Sequence, residues 1–323
     1  MLRALVLSNM LPDAAHPERG RFVRDQVAAL RELDDLDVEL HEFAPGGRAL
    51  AHAALGLPRR YGARKLARAR GAPPRFDVVH AHFGLTAWPA LAIGTRVRAL
   101  TVHGTDVRHP RTRLATAAVL PLMEVLGAAS APLVQELPGR AARRRALVLP
   151  CGVDMERFRP LPRTLARSQL GLDPAKPYAL FAADPTRAEK RHDRACALAN
   201  AVGVGLLTLG GVDPEQVPLW VNAANAVLVT SEREGFGLAV LEALACDVPV
   251  LATPVGIHSE ALEQLAGTLC APFELATWRA VLQPYLHSPD PRIDGRARAR
   301  LFSAQVMAAR VADAWREAVE RSA

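Results

Sequence analysis

Within nine residues, Glu234-Gly235-Phe236-Gly237-Leu238-Ala239-Val240-Leu241-Glu242 brings together two carboxylates, two glycines and a helix start. Glycines let backbone N–H groups approach a ligand closely, and the N-terminal end of a helix favours an anion such as a diphosphate. Carboxylates accept hydrogen bonds from vicinal hydroxyls, so acids flanking an anion site would suit a sugar at one end and a ribose at the other. The same spacing also suits a helix-capping acid followed by an exposed helix glutamate. Spacing alone leaves both open.

Other chemistry-bearing residues are more scattered. His103-Gly104-Thr105-Asp106 closes an apolar run. His80 and His82 could ligate a metal, but they are taken to face opposite sides of a strand and to be lone polar residues at its end. Asp35-Leu36-Asp37 has the form of a metal-diphosphate motif, yet it falls where the first helix should run out and reads as a solvated turn. His258 and Glu260 either line a site or simply begin a helix. The four cysteines, Cys151, Cys196, Cys246 and Cys270, form no CxxC pair and are expected to be buried thiols in a reducing cytoplasm. No Gly-x-Ser-x-Gly, HExxH or P-loop pattern is present.

The elements that must position these residues alternate strand and helix. Apolar runs of strand length occur at Leu2–Leu7, Val38–Phe43, Val78–His82, Leu100–His103 and Ala146–Leu149. They restart at Tyr178–Ala182, Val204–Leu209, Ala226–Thr230 and Val248–Ala252. Helical stretches lie between them, such as Arg21–Leu33 with Val23, Val27 and Leu30 on one face. Short apolar strands alternating with helices predict parallel sheets covered on both faces. Two such series in 323 residues predict two doubly wound α/β domains, with a seam around Asp154–Pro177 where four prolines fall. Phe302–Arg321 reads as one amphipathic helix with Phe302, Val306, Val311, Trp315 and Val319 on one side. In such sheets ligands bind beyond the carboxyl ends of the strands, which is where the motifs above fall.

Half of the residues are hydrophobic and 23% are charged, which excludes a disordered or fibrous chain. No apolar run nears the roughly 20 residues needed to span a bilayer. The opening Met1–Asp13 reads as a first strand and not a signal peptide. Of the 40 basic residues 37 are arginine and only Lys65, Lys176 and Lys190 are lysine, so an arginine count alone says little about function. Placement says more: residues 1–150 carry a net +9 and residues 151–323 a net −2. Two basic clusters dominate, Arg59, Arg60, Arg64, Lys65, Arg68 and Arg70, then Arg140, Arg143, Arg144 and Arg145. Such a face attracts an anionic substrate or lipid headgroups, or is a solvated helix face. Nucleic acid is excluded as a partner because Tyr61 alone could serve as a stacking platform there.

Three further stretches complete the pattern. Val217-Pro218-Leu219-Trp220 leads through Asn222 and Asn225 into Ser231-Glu232-Arg233-Glu234. Glu242-Ala243-Leu244-Ala245-Cys246-Asp247-Val248-Pro249-Val250 leads on to Pro254-Val255-Gly256. With His103-Gly104-Thr105-Asp106 and Pro150-Cys151-Gly152-Val153-Asp154, the whole resembles retaining GT-B glycosyltransferases of the group-1, or family-4, type. The resemblance implies two Rossmann-like domains facing a cleft. Residues 1–155 would bind the acceptor, 156–301 the donor, and the helix 302–323 would pack back on the first domain. It implies that Glu234 touches the donor sugar and Glu242 the ribose. Gly235, Phe236, Gly237 and Leu238 would hold sugar and phosphate through backbone amides. Lys190 would neutralise the leaving diphosphate and His103 would stand near the donor sugar, making His103, Glu234 and Lys190 the catalytic group. Where the family often has glycine-arginine before that lysine, this chain has Asp184 and Pro185, with Arg187 as the substitute. Gly20, Arg21, His82 and Asp106 are the acceptor-side candidates.

The activity implied is transfer from a nucleotide-diphosphate sugar, used as co-substrate, to a carbohydrate, lipid-linked or small-molecule acceptor. No metal or other cofactor is expected. The chain would work in the cytoplasm, in peripheral contact with anionic membrane at its inner face. The alternatives are a nucleotide-sugar epimerase and an inactive sugar-nucleotide-binding protein.

Overall fold

The computed structural model describes residues 1–14, 16–63 and 73–322. Two compact units divide it, one of Met1–Gly152 with Ala304–Ala323 and one of Val153–Ser303.

The first unit is built on six parallel strands, β1 (Leu2–Ser8), β2 (Leu36–Glu42), β3 (Phe76–His82), β4 (Thr95–Val102), β5 (Val125–Ala128) and β6 (Leu147–Val148). They lie in the order β2-β1-β3-β4-β5-β6. Ala4 aligns with Val38 on one side and Val78 on the other, and Ala99 carries the register on to Val125. Leu5, Val6, Leu7, Val78 and Val79 have no exposed surface, as strands covered on both faces require. The helix Arg21–Arg31 lays Val23, Val27 and Leu30 on this core, as its periodicity predicts.

The last helix runs Ala304–Ser322 and joins the same core. Its buried residues are Ala304, Met307, Ala308, Val311, Ala312, Ala314, Trp315 and Ala318. Two expectations are corrected here. Phe302 precedes the helix and belongs to the second unit, and Val306 is 40% exposed, because the buried stripe follows the alanines rather than the larger residues. Small side chains let a helix sit close to a sheet, and Trp315 is fully buried in the same core. Asp35 is the exposed turn residue expected just past the first helix, which ends at Arg31, and accepts from Arg316 Nε and Nη2 at 2.9 and 2.8 Å, whereas Asp37 already lies in β2.

The second unit holds five parallel strands, β7 (Tyr178–Phe181), β8 (Gly205–Thr208), β9 (Ala226–Val229), β10 (Val250–Ala252) and β11 (Thr268–Cys270). Their order is β11-β10-β9-β7-β8. Both sheets therefore reverse direction of winding once, between β1 and β3 and between β7 and β9. The crevice beyond the strand ends at such a switch point is where doubly wound sheets bind ligands. Trp278 and Leu282 bury fully in a core with Phe181, Leu198 and Leu228.

The proline-containing seam is tied to this unit by arginines. Arg296 donates to Phe158 O and Ala245 O at 2.7 and 2.8 Å and to Met155 O at 2.6 Å. Arg292 donates to Leu161 O at 2.6 Å and to Cys246 O at 2.8 Å. Arg163, with 1% of its surface exposed, donates to Pro289 O at 2.7 Å. A guanidinium offers five donors in a fixed fork, so one side chain can satisfy several carbonyls of irregular backbone. Replacing Arg296 with alanine should cost about 3 kcal/mol, since each charge-assisted bond lost leaves a carbonyl short of a partner. Urea unfolding followed at Trp278 would measure it, and a loss under 0.5 kcal/mol on the order of an ordinary surface change would show the clamp to be dispensable.

The thiols are only partly as expected. Cys151 and Cys246 are buried, and burial pushes each up to about 12, whereas Cys196 and Cys270 are half-buried. Among the described residues no helix is long and apolar enough to cross a membrane.

Candidate functional site

In the second unit the site grows from the ends of β7 and β9. After β7 the chain turns through Asp184, which accepts from the Thr186 N–H and hydroxyl at 2.8 Å each, into a short turn of 3-10 helix, Ala188–Lys190. Thr230, fully buried just past β9, donates its hydroxyl toward Lys190 O and Arg191 O at 2.9 Å. Glu232 N–H closes the two loops on Glu189 O at 2.9 Å. The result is that Lys190 Nζ meets Glu234 Oε1 and Oε2 at 2.6 and 2.8 Å. Ser231 Oγ donates to the same carboxylate at 2.7 Å.

Side-chain exposure of this pair is only 13% for Lys190 and 10% for Glu234. Burial pushes the Glu234 carboxyl up, but the Lys190 charge and the hydrogen bonds from Lys190 and Ser231 outweigh it, and the net is below the usual range. Glu234 is therefore an ionised acceptor held in a fixed place.

The loop after Glu234 is held by residues further along. Ile257 N–H donates to Phe236 O at 2.8 Å. A Cβ at Gly256 would come within 2.2 Å of Phe236 O, and one at Gly237 within 2.3 Å of His258 Nε2, and both residues have positive φ. Glycine is thus required at both. Gly237 precedes the helix Leu238–Ala245, whose first N–H groups have no side-chain cap. Glu242 enters this helix at its fifth residue and is half-buried. It stands about one helical turn from the helix start, because Gly235–Gly237 are not helical.

His258, which spacing left undecided, is fully buried; its Nδ1 donates to Thr253 O at 2.8 Å. Arg187 is exposed and paired with Glu189 at 2.8 Å, and the structure does not bring it to Lys190 and Glu234.

In the first unit a second cluster forms at the ends of β3 and β4. Asp106, buried, accepts from His103 N–H at 3.1 Å, Gly104 N–H at 2.8 Å and Gly84 N–H at 3.2 Å, and so ties the two strand ends together. Burial pushes its carboxyl up to about 6 against those three donors. His82 and His103 stack with centroids 5.1 Å apart, and their facing nitrogens lie 2.9 Å apart. Here the expectation for His80 and His82 was wrong: residues two apart on a strand share a face, and these rings stack at 4.8 Å. Nor is His82 a lone polar residue. Among the described residues no group of three His, Cys, Asp or Glu is placed to hold a metal ion.

Gly20 takes a left-handed conformation at the start of the helix Arg21–Arg31, and a Cβ there would lie 2.5 Å from Met10 O. Arg21 bonds Asp25 at 2.9 Å along its own helix. The residue of that helix brought to the histidines is Phe22, 4.8 Å from the His103 ring, with Phe83 at 4.8 Å on another side. Phe83 has φ +72°, a strained conformation for a bulky residue. Neither phenylalanine was predicted, since an aromatic ring beside an apolar run carries no signal of its own.

The buried histidines set a pH dependence. Burial holds His82 down to about 3 and His80 well below its usual value. In the unfolded chain both would protonate near pH 6.5, so the folded state binds fewer protons and loses stability as pH falls below that point. Asp106 acts in the opposite sense between about pH 6 and pH 4, its folded value being the higher one. Two groups against one leave a net loss, and each contributes up to about 1.4 kcal/mol per pH unit. Hydrogen exchange of the β3 and β4 amides at pH 7 and pH 5 should show weaker protection at pH 5. Equal protection would refute the assignment of neutral rings.

Each α/β unit gathers charged or ring side chains beyond the ends of its strands, at β3 and β4 in the first and at β7 and β9 in the second. The Anabaena protein HepE in complex with UDP-glucose has this fold, with a TM-score of 0.65 over 97% of this chain and 99% of that one at 17% identity. Residues 178–301 match the family of glycosyl transferases group 1. It is this segment, which holds the Glu234 to Gly256 pattern, that is similar to the group-1 glycosyltransferases. It is 31% identical over 185 residues, 46% of its length, to a D-inositol 3-phosphate glycosyltransferase of Segniliparus rotundus, and 29% identical over 280 residues, 69% of its length, to one of Nocardia farcinica. It spans 41% and 61% of the length of those two relatives.

Proposed function

We propose that the chain moves a sugar from a nucleotide-diphosphate sugar to an acceptor hydroxyl, with retention at the anomeric carbon and without a metal ion. The observation that carries this reading is the buried Lys190–Glu234 pair beside the uncapped helix start at Gly237, all inside the segment that matches the family. The bond from the anomeric carbon to the diphosphate breaks with its electron pair on the phosphate oxygen. A fixed ammonium and a helix N-terminus stabilise that charge more as it grows. Glu234 accepts from donor-sugar hydroxyls and Glu242 from the ribose. The acceptor hydroxyl attacks from the side the leaving group vacates and passes its proton to the departing phosphate, so no protein nucleophile is required. The first unit supplies His103 near the donor sugar, and Asp106, His82, Gly20 and Arg21 on the acceptor side.

The acceptor is anionic on this reading. Residues 1–150 carry a net +9 while the rest is near neutral, and the two relatives are named for an inositol phosphate. Of the second basic cluster, Arg143 and Arg145 are engaged with the carbonyls of Leu137, Met123 and Leu120, so Arg140 and Arg144 remain as outward charges. Arg59 and Arg60 end the helix Gly47–Tyr61, and Arg64, Lys65, Arg68 and Arg70 lie outside the described residues. A lipid-linked acceptor, with the chain held peripherally at the inner face of an anionic membrane, uses the same charges.

Incubation with UDP-, GDP- and ADP-sugars, with and without inositol 3-phosphate, tests the reading. Acceptor-dependent release of nucleoside diphosphate, a product of the donor's anomeric configuration by NMR, and full activity in EDTA are expected. Loss in EDTA restored by magnesium would overturn the metal-independent part. Release of nucleoside diphosphate with donor alone would favour an epimerase, and binding without turnover an inactive relative. Vesicles of phosphatidylglycerol should bind the native chain at low salt and release it as salt rises. Indifference to them leaves a soluble acceptor.

A further inference from the structure

Trp315, His80, His82 and His103 form a continuous row from the last helix to the end of β4. Trp315 Nε1 lies 3.2 Å from His80 Nδ1, and an indole nitrogen can only donate. His80 Nδ1 is therefore an acceptor, its proton sits on Nε2, and Nε2 donates to Thr101 Oγ1 at 2.8 Å. That ring is fully used.

His82 Nδ1 and His103 Nε2 lie 2.9 Å apart, so one of them donates. Burial holds both rings neutral, His103 also through the His82 charge it would face. His82 Nε2 is buried and has no hydrogen-bond partner among the described residues. If His103 donated, His82 would carry its proton on Nε2, a buried N–H with nowhere to go. If His82 donates, Nε2 is a bare lone pair. Orphaned buried N–H groups are the rarer of the two. The second arrangement also leaves the hydrogen of His103 on Nδ1, outside the row, on a residue that is only half-buried.

We propose that His82 is a positioning residue: it donates from Nδ1 to His103 Nε2 and fixes His103 as the Nδ1–H tautomer, which presents a hydrogen-bond donor beyond the end of β4. His103 then polarises an oxygen of the bound sugar substrate and does not act as a base through Nε2. Its role toward substrate rests on the sugar-transfer reading above; its tautomer does not.

Long-range 15N–1H spectra of the full chain, with no ligand, read the tautomer directly, the His103 signals being assigned by their loss in His103→Gln. Protonated Nδ1 and bare Nε2 on both His103 and His82 are expected. A hydrogen on His103 Nε2, or an imidazolium at pH 7, overturns the proposal. The functional arm uses UDP-glucose, or whichever nucleotide sugar the native chain consumes. His82→Leu, which removes the donor, should lower kcat on the order of tenfold or more with KM for the nucleotide sugar within about twofold. His82→Asn, whose amide nitrogen sits near the former Nδ1, should recover most of it. A folded His82→Leu with unchanged kcat also overturns it. Should the native chain consume no nucleotide sugar, the transfer reading falls while the spectra still decide the tautomer, as they do if His82→Leu fails to fold.

Discussion

Replacing Lys190 with alanine should lower turnover by about 10²- to 10³-fold, with nucleotide affinity changed far less. A charge that assists a departing diphosphate matters more in the transition state than in the bound state, and removing one such preorganised donor costs on this order. Lys190→Arg keeps the charge but not the compact ammonium that fits both oxygens of Glu234 at 2.6 and 2.8 Å, so it should recover only part of the loss. A second readout separates charge from damage. In the native chain Glu234 lies below its usual range, so its contribution to stability is present above about pH 4.5 and is lost as pH falls through its lower folded value. Without Lys190 burial prevails, the folded carboxyl moves above the unfolded one, and the alanine variant should lose less stability than the native chain as pH drops from 7 toward 5. Pre-steady-state kinetics with the active donor and urea titrations at the two pH values would check both. A variant with native turnover would remove Lys190 from the reaction. A parallel loss of affinity and turnover would make it a binding residue only.

Why this pair was legible, and its neighbours less so, follows from what a sequence can carry. Glu234, Gly235, Gly237 and Glu242 sit in one short run, and Lys190 is one of three lysines among 37 arginines, so each stands out locally. That Ser231 also donates to Glu234, and that His258 is folded beneath Gly237, depends on where β10 delivers Thr253–His258, which no local pattern states. Arg187 was chosen by distance along the chain from Lys190. In the 3-10 turn its side chain instead reaches Glu189, two residues on.

The fold shows the same division. Most strands rich in Val, Leu and Ala lie close to their expected bounds, but β4 begins at Thr95 and not at the expected Leu100, its first residues being interrupted by Arg96 and Arg98. The two that escaped notice, Val125–Ala128 and Thr268–Cys270, have four and three residues and carry glycine or cysteine, so neither composition nor period marks them. The arginines, whose count alone says little about function, include Arg163, Arg292 and Arg296, which hold the seam in place of regular hydrogen bonding. Arginines of identical type on Arg140–Arg145 divide between carbonyl clamps and outward charges, a distinction only packing makes.

Removing the chain from Ala304 onward should leave the first unit unfolded. The helix contributes Ala304, Ala308, Val311, Ala312, Ala314, Trp315 and Ala318 to the core that also contains Ala4, Val6, Val78 and Val97, and without it that face of the sheet meets water. Trp315 has no exposed surface, and a buried tryptophan replaced by alanine costs about 3–5 kcal/mol. That is a large share of the roughly 5–15 kcal/mol by which a domain is stable. The same change strips His80 Nδ1 of its donor, which adds a buried acceptor without a partner. Trp315→Phe keeps most of the volume but not the N–H, so it should fall between the native chain and Trp315→Ala. Val306→Ala, on the exposed side of the same helix, should change stability by no more than about 0.5 kcal/mol. Hydrogen exchange resolved to β1, β3 and β4 distinguishes these cases. Loss of protection there in the truncated chain and in Trp315→Ala, with protection kept in Val306→Ala, is the expected pattern. A truncated chain whose β1, β3 and β4 amides exchange as slowly as in the native protein would show that the sheet needs no cover on that face.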